Sequence, residues 1–178
     1  MAHPGTTAVL AVLPEAEPLL RLAAEVAAGV VRPGVPAHAA LLYPWLPADR
    51  VGAPDLDRLH AALPTGDVRI RLTEVEQEDG FVAVPVPGLR AMATAVRSAF
   101  PAQVPYGGRF GQDPPAHVTV AMGAGPATAA TVARRVGARL PIVARITALH
   151  AVVLTPTGWQ ILAELPLSSR ARRPGAGR

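Results

Sequence analysis

One pattern in this chain is written twice: strand, helix, a strand that opens on histidine, helix, strand. The repeat limits the chain to folds built from two matched halves. The first histidine strand is entered through Pro36-Ala37-His38 and runs Ala39-Ala40-Leu41-Leu42-Tyr43 before Pro44. The second is entered through Pro115-Ala116-His117 and runs Val118-Thr119-Val120-Ala121. Side chains two apart in a strand share a face. His117 and Thr119 therefore project together while Val118 and Val120 face a core, and His38 and Ala40 project together likewise. Two such strands across a cleft would gather two imidazoles and a hydroxyl at one small site, suited to acid–base chemistry on a phosphate.

The rest of the chain fits around these strands. Thr6–Leu13 is β-branched and aliphatic, ends at Pro14 and reads as a strand. Leu19, Leu22, Val26 and Val30 follow at helical spacing, closed by Gly29 and Pro33. After the His38 strand, Asp55 starts a helix carrying Leu56, Leu59 and Leu63, which Pro64 and Gly66 end. Val68, Ile70 and Leu72 alternate with Arg69, Arg71 and Thr73 as a strand, and Glu76–Gly80 reads as an acidic turn. The second half, from Phe81, repeats the order: strand Phe81–Val86, a helix with Leu89, Met92, Val96 and Phe100, then the His117 strand. A helix with Val132, Val136 and Leu140 and a long strand Ile142–Leu154 complete it. Thr155-Pro156-Thr157-Gly158 turns the chain into a closing strand, residues 159–165. The halves differ mainly in the loop Pro101–Pro115, which holds Tyr106, Gly107, Gly108 and Arg109.

These boundaries predict an α+β fold of two pseudo-symmetric lobes, each an antiparallel sheet covered by helices, with a central cleft. The units span about residues 6–76 and 80–154 of one two-lobed domain, residues 1–167. Residues 168–178 are expected to form a disordered basic tail. Hydrophobic residues make up 50% of the chain and aromatics only 4%, so aliphatic and alanine side chains must fill the core.

Charge narrows the partners. All 17 basic residues are arginine, and four of them, Arg170, Arg172, Arg173 and Arg178, lie in the tail. The 13 that remain balance the 13 acidic residues, so the body is no polycation and broad nonspecific nucleic-acid binding is not expected. The absence of cysteine excludes disulfides and thiolate chemistry. No apolar run reaches the roughly 18–20 residues of a membrane span, and the start does not read as a signal peptide. The expectation is a cytoplasmic monomer with no membrane partner.

Several segments carry a resemblance. His38-Ala39-Ala40-Leu41-Leu42-Tyr43-Pro44-Trp45-Leu46-Pro47, the loop Pro105-Tyr106-Gly107-Gly108-Arg109-Phe110, and His117-Val118-Thr119-Val120 resemble the two-histidine (2H) phosphoesterase superfamily, in its 2'-5' RNA ligase-like (LigT-like) branch. The resemblance covers nearly the whole chain. It implies the same two-lobed fold and hydrolysis of a cyclic phosphodiester on an RNA end or a small nucleotide, together with 2'-5' RNA ligation. One position departs: Ala40 stands where that family carries threonine or serine.

The chemistry needs one group to take a proton from water and another to give one to the leaving ring oxygen. Two histidines do this near neutral pH if one is neutral and one protonated. A neighbouring hydroxyl donates to the nonbridging oxygens. The candidate catalytic residues are His38, His117 and Thr119. The candidate substrate-binding residues are Tyr43, Tyr106 and Arg109. Tyr43 and Trp45 could stack on a base or plug the fold beside a proline turn. Arg109 could clamp a phosphate or be a solvated loop arginine. Arg69 and Arg71 face either the cleft or solvent. His3, His60 and His150 pair with no other histidine at metal-ligand spacing, so neither a metal nor a cofactor is expected. Two other functions compete: a binding protein that kept the cleft but lost efficient catalysis at Ala40, and an interaction module whose basic tail engages a partner.

Overall fold

The computed structural model describes residues 3–32 and 34–167; the proposed helix stop at Pro33 and the basic tail lie outside them. Nine strands and four α-helices follow in the order β1 (Thr7–Val12), α1 (Glu17–Val26), β2 (His38–Leu42), α2 (Ala53–Ala61), β3 (Val68–Leu72), β4 (Glu76–Glu78), β5 (Phe81–Pro85), α3 (Arg90–Ala99), β6 (His117–Ala121), α4 (Pro126–Gly137), β7 (Ile142–Ile146), β8 (Ala148–Thr155) and β9 (Gly158–Pro166). Prolines punctuate these elements. Pro14 and Pro87 end strands and open short 3-10 turns that lead into α1 and α3.

The α+β architecture expected from the pattern is present, with every strand pairing antiparallel. The halves do not hold separate sheets, however. Their strands join into one seven-stranded sheet in the order β4-β5-β6-β2-β1-β8-β9. The junction is β2 against β6, held by the single pair Ala39↔Val118. A two-stranded ribbon, β3-β7, also takes one strand from each half.

Helices cover one face of the large sheet. Across the narrow junction each leading helix reaches the other half: α3 packs on β2, and α1 packs on β6. Alternate strand residues feed this side. Ala39 and Leu41 of β2, Val118 and Val120 of β6, and Val9 and Ala11 of β1 are buried with Leu19 of α1, Val96 of α3 and Val132 of α4. Few of these side chains are aromatic, so close packing of small aliphatic residues supplies the burial. The ribbon closes the same core with Ile70, Leu72, Ala144 and Ile146. Gly88 permits that approach, since a Cβ there would lie 2.9 Å from Ile70 Cγ2.

Helix ends fall short of the sequence reading: α1 stops at Val26 before Val30, α2 at Ala61 before Leu63, and α4 at Gly137 before Leu140. Two further differences change the strands. The acidic turn at Glu76–Gly80 is a short strand, Glu76–Glu78, and a two-residue turn at Asp79 and Gly80, both at positive φ. Asp-Gly suits such a turn because it needs left-handed backbone at both positions. The long strand Ile142–Leu154 is two strands, which break at Thr147 between the ribbon and the large sheet. Ala148 and Leu149 are both buried, and this slip in the alternation marks the break.

Candidate active site

The face of the large sheet opposite the helices is open, and the histidines lie on it. His38, Ala40, His117 and Thr119 are half-buried, whereas Ala39, Leu41, Val118 and Val120 between and beside them are fully buried. The register fixes their relations. Counting outward from Ala39↔Val118 in an antiparallel pair sets His38 opposite Thr119 and His117 opposite Ala40. The four side chains thus form a parallelogram with the imidazoles at opposite corners. Diagonal positions of an antiparallel pair lie about 7–8 Å apart, which suits two groups bracketing one phosphate. The charge on His117 is among the influences on His38.

Each imidazole is held by the same local device. His38 Nδ1 donates to the Pro36 carbonyl at 2.8 Å, and His117 Nδ1 donates to the Pro115 carbonyl at 3.2 Å. A carbonyl can only accept, so Nδ1 carries the hydrogen and Nε2 is the ring nitrogen left without it. The Pro-Ala-His triplet is therefore the sequence form of an oriented ring. The alanines are anchored as well: Leu13 N–H donates to the Ala37 carbonyl and Val86 N–H to the Ala116 carbonyl, both at 2.8 Å. Glu17 of α1 accepts the Ala37 N–H at 2.5 Å. Phe81 packs edge-on against the His117 ring, with centroids 5.4 Å apart.

Burial pushes both imidazoles below their ordinary value. For His38 the prolyl carbonyl opposes this, while His117 and Arg32 lower it further and Glu17 raises it. For His117 the prolyl carbonyl and Glu76 oppose burial.

The aromatic candidates separate. Trp45 is 2% exposed and plugs the core against Phe100, with its indole Nε1 unpartnered among the described residues. Tyr43 instead lies on the open face over Ala8, Leu10 and Val152, beside Ala40 and Trp159. It contacts Trp159 at 6.3 Å and Tyr106 at 5.6 Å between ring centroids. Tyr106 contacts Phe110 in turn at 5.3 Å, so four rings form a continuous rim. The loop is pinned by a 2.6 Å bond from Tyr106 N–H to the Tyr43 carbonyl, and Tyr106 adopts a left-handed φ of 52°. Burial pushes the Tyr106 phenol up. Arg109 lies over the Phe110 ring at 5.3 Å. Arg69 and Arg71 face solvent on the ribbon side away from the core, so the cleft reading of that pair is set aside. His150 shares the open face in register with Leu10 and Glu164, and its Nδ1 has no partner among the described residues. His3 is exposed, and His60 is exposed with Nε2 3.2 Å from the Pro166 carbonyl.

Sequence reasoning missed Phe81, Glu17, Trp159 and Phe110. It also missed Arg97 of α3, whose guanidinium spans Leu41 in β2 and Pro114 ahead of β6. Phe81 and Trp159 could have been found by face counting, because each shares the alternation of the open side. Arg97 carries no such signal, because its partners are backbone carbonyls.

The profile of the 2'-5' RNA ligase superfamily matches residues 15–156, a span that takes in both histidine strands and the rim loop. The chain belongs to the 2'-5' RNA ligase superfamily. Among solved structures, E. coli LigT complexed with 3'-AMP is 16% identical, with 94% of this chain and 100% of that chain covered and a TM-score of 0.54. E. coli LigT complexed with ATP is 14% identical at the same coverage and TM-score. A phosphoesterase structure is 17% identical, with 93% and 100% covered and a TM-score of 0.56. At these identities the likeness is one of fold. No curated protein matches the sequence. Membership of the 2'-5' RNA ligase superfamily carries an enzyme class, phosphoesterase or ligase. Among the described residues no helix is long and apolar enough to cross a membrane.

Proposed function

We propose that this superfamily member hydrolyses a cyclic phosphodiester, the 2',3'-cyclic phosphate of an RNA end or a small nucleotide. One observation carries the reading: two oriented imidazoles stand at opposite corners of the β2–β6 junction with Thr119 between them. The neutral imidazole takes a proton from water as its oxygen bonds to phosphorus. The protonated one gives its proton to the ring oxygen as the bond from phosphorus to that oxygen breaks. Thr119 donates to a nonbridging oxygen, where charge concentrates. With the 5'-hydroxyl of a second RNA end in place of water, the same pair joins the ends: that oxygen bonds to phosphorus, the 3' ring oxygen leaves with a proton, and a 2'-5' bond remains.

The rim of Trp159, Tyr43, Tyr106 and Phe110 supports a nucleotide or RNA substrate, because a base can stack on rings that leave an edge or face open. The nucleotides bound to E. coli LigT favour the same class. Arg109 would sit at the far end of the rim beside Phe110. Nothing in this chemistry calls for a second copy, and we take the protein to act as a cytoplasmic monomer.

The test is turnover of nucleoside 2',3'-cyclic phosphates by the full chain. His38→Ala and His117→Ala should each lower turnover by about 10² to 10⁴ while the protein stays folded. Full activity in either variant would remove the acid–base pair. The second reading, a binding protein with weakened catalysis, is favoured by Ala40 opposite His117. It predicts nucleotide binding without turnover.

A further inference from the structure

The parallelogram at the β2–β6 junction is chemically lopsided. Its imidazole corners are matched, and each ring is held by a prolyl carbonyl two residues earlier. The other two corners are Thr119, opposite His38, and Ala40, opposite His117. In an in-line displacement the attacking and leaving oxygens lie on one axis through phosphorus, here the axis between the imidazoles. The two nonbridging oxygens lie off that axis. Thr119 faces one of them with a hydroxyl, and Ala40 faces the other with a methyl group.

The strand residues beside Ala40 bring no side-chain donor to its corner. Its register partner on β1 is Leu10, and Pro85 lies beyond His117 in the same row. Leu10 is buried with Ala8 and Val152 beneath Tyr43 and Trp159, and Ala40 belongs to this apolar cluster. The floor of the corner is therefore apolar, which suits a larger, weakly accepting atom better than a charged oxygen.

Resting on the cyclic phosphodiesterase reading, we propose that the site grips phosphate through one nonbridging oxygen only, at Thr119, and that the Ala40 corner admits sulfur or methyl in place of the other. The substrate class extends to cyclic phosphodiesters altered at that one position, with Ala40 as the residue that sets the tolerance. The step keeps its balance with sulfur present. Water oxygen bonds to phosphorus, the ring oxygen leaves with a proton from the charged imidazole, and a thiophosphate monoester is released.

The experiment uses the full chain and the two separated diastereomers of a nucleoside 2',3'-cyclic phosphorothioate, against the all-oxygen compound. One diastereomer should turn over within about threefold of the oxygen compound. The other should be roughly 10- to 100-fold slower, the effect of weakening a hydrogen bond to a charged oxygen. Thr119→Val keeps a β-branched strand residue without the hydroxyl and should bring the ratio of diastereomers close to one. Ala40→Ser should slow the tolerated diastereomer relative to the oxygen compound. Equal slowing of both diastereomers in the natural protein would overturn the proposal, as when the Tyr43 hydroxyl reaches the empty corner. So would a preference that survives in Thr119→Val.

If no cyclic phosphate is turned over, the reaction reading fails, and the site is tested without turnover. Crystals soaked in inorganic thiophosphate should show anomalous sulfur scattering above Ala40 and not above Thr119. Sulfur at Thr119, sulfur shared between the corners, or no bound anion would overturn the proposal independently of catalysis.

Discussion

Arg97 is the side chain by which α3 holds the two histidine strands together, and its loss should be felt at the junction. Its Nε–H donates to the Leu41 carbonyl at 2.9 Å, one residue after Ala40. An Nη2–H donates to the Pro114 carbonyl at 3.0 Å, and Nη1 meets Asp113 Oδ1 at 2.5 Å. The arginine side chain is 10% exposed and the aspartate 52%. Arg97→Met keeps the apolar stem and removes the fork, leaving two carbonyls without their donor. An orphaned buried acceptor costs about 1–3 kcal/mol, so the variant should lose about 2–6 kcal/mol. Asp113→Asn touches only the exposed end and should cost about 1 kcal/mol or less. Arg97→Lys should rescue little, because one ammonium cannot reproduce a planar fork that reaches both carbonyls. Urea denaturation with unchanged m separates these outcomes, and melting should fall by roughly 2–4 °C per kcal/mol for a chain of this size. A loss below about 1 kcal/mol in Arg97→Met would refute the reasoning. So would a loss in Asp113→Asn as large as that in Arg97→Met, since the ion pair and not the carbonyl fork would then carry the effect.

Four further outcomes follow from the structure. Both imidazoles are lowered from 6.5 by burial, so kcat/KM, which reports the free enzyme, should be bell-shaped with its maximum below pH 6.5, and a maximum above about pH 7.5 would contradict the assignment. The same shifts make stability greatest above the unfolded value and lose it as pH falls through the lowered folded values, so melting at about pH 5 should lie below that at about pH 7.5. Gly80→Ala should cost at least ~2 kcal/mol in denaturant unfolding, because its φ is +77° and a Cβ would lie 2.3 Å from the Ala124 carbonyl oxygen; a loss under about 0.5 kcal/mol would mean the turn relaxes freely. Trp159→Ala should raise KM for a cyclic nucleotide about tenfold with little change in kcat, the signature of lost stacking, and an unchanged KM would take the rim out of substrate binding.

The local order was legible because it is written in short-range chemistry. Alternation placed His38 with Ala40 and His117 with Thr119 on one face, and the buried valines and leucines on the other. The Pro-Ala-His triplets fixed where each strand begins, and the ring orientation follows from the same three residues. The Ala40 vacancy could be read from one position.

What the sequence could not settle are the pairings made over long separations. One register pair, Ala39↔Val118, turns two expected sheets into one and sets which corner faces which imidazole. Nothing near either residue in the chain specifies that register. It is held from behind by helices that cross to the opposite half and by an arginine bonded to backbone carbonyls, which have no residue identity to read. Tyr43 and Trp45 divide in the same way. Two positions apart and both aromatic, they part only when tertiary packing closes the core over Trp45 and leaves Tyr43 to join Tyr106 and Trp159, residues distant in sequence, at the rim of the open face.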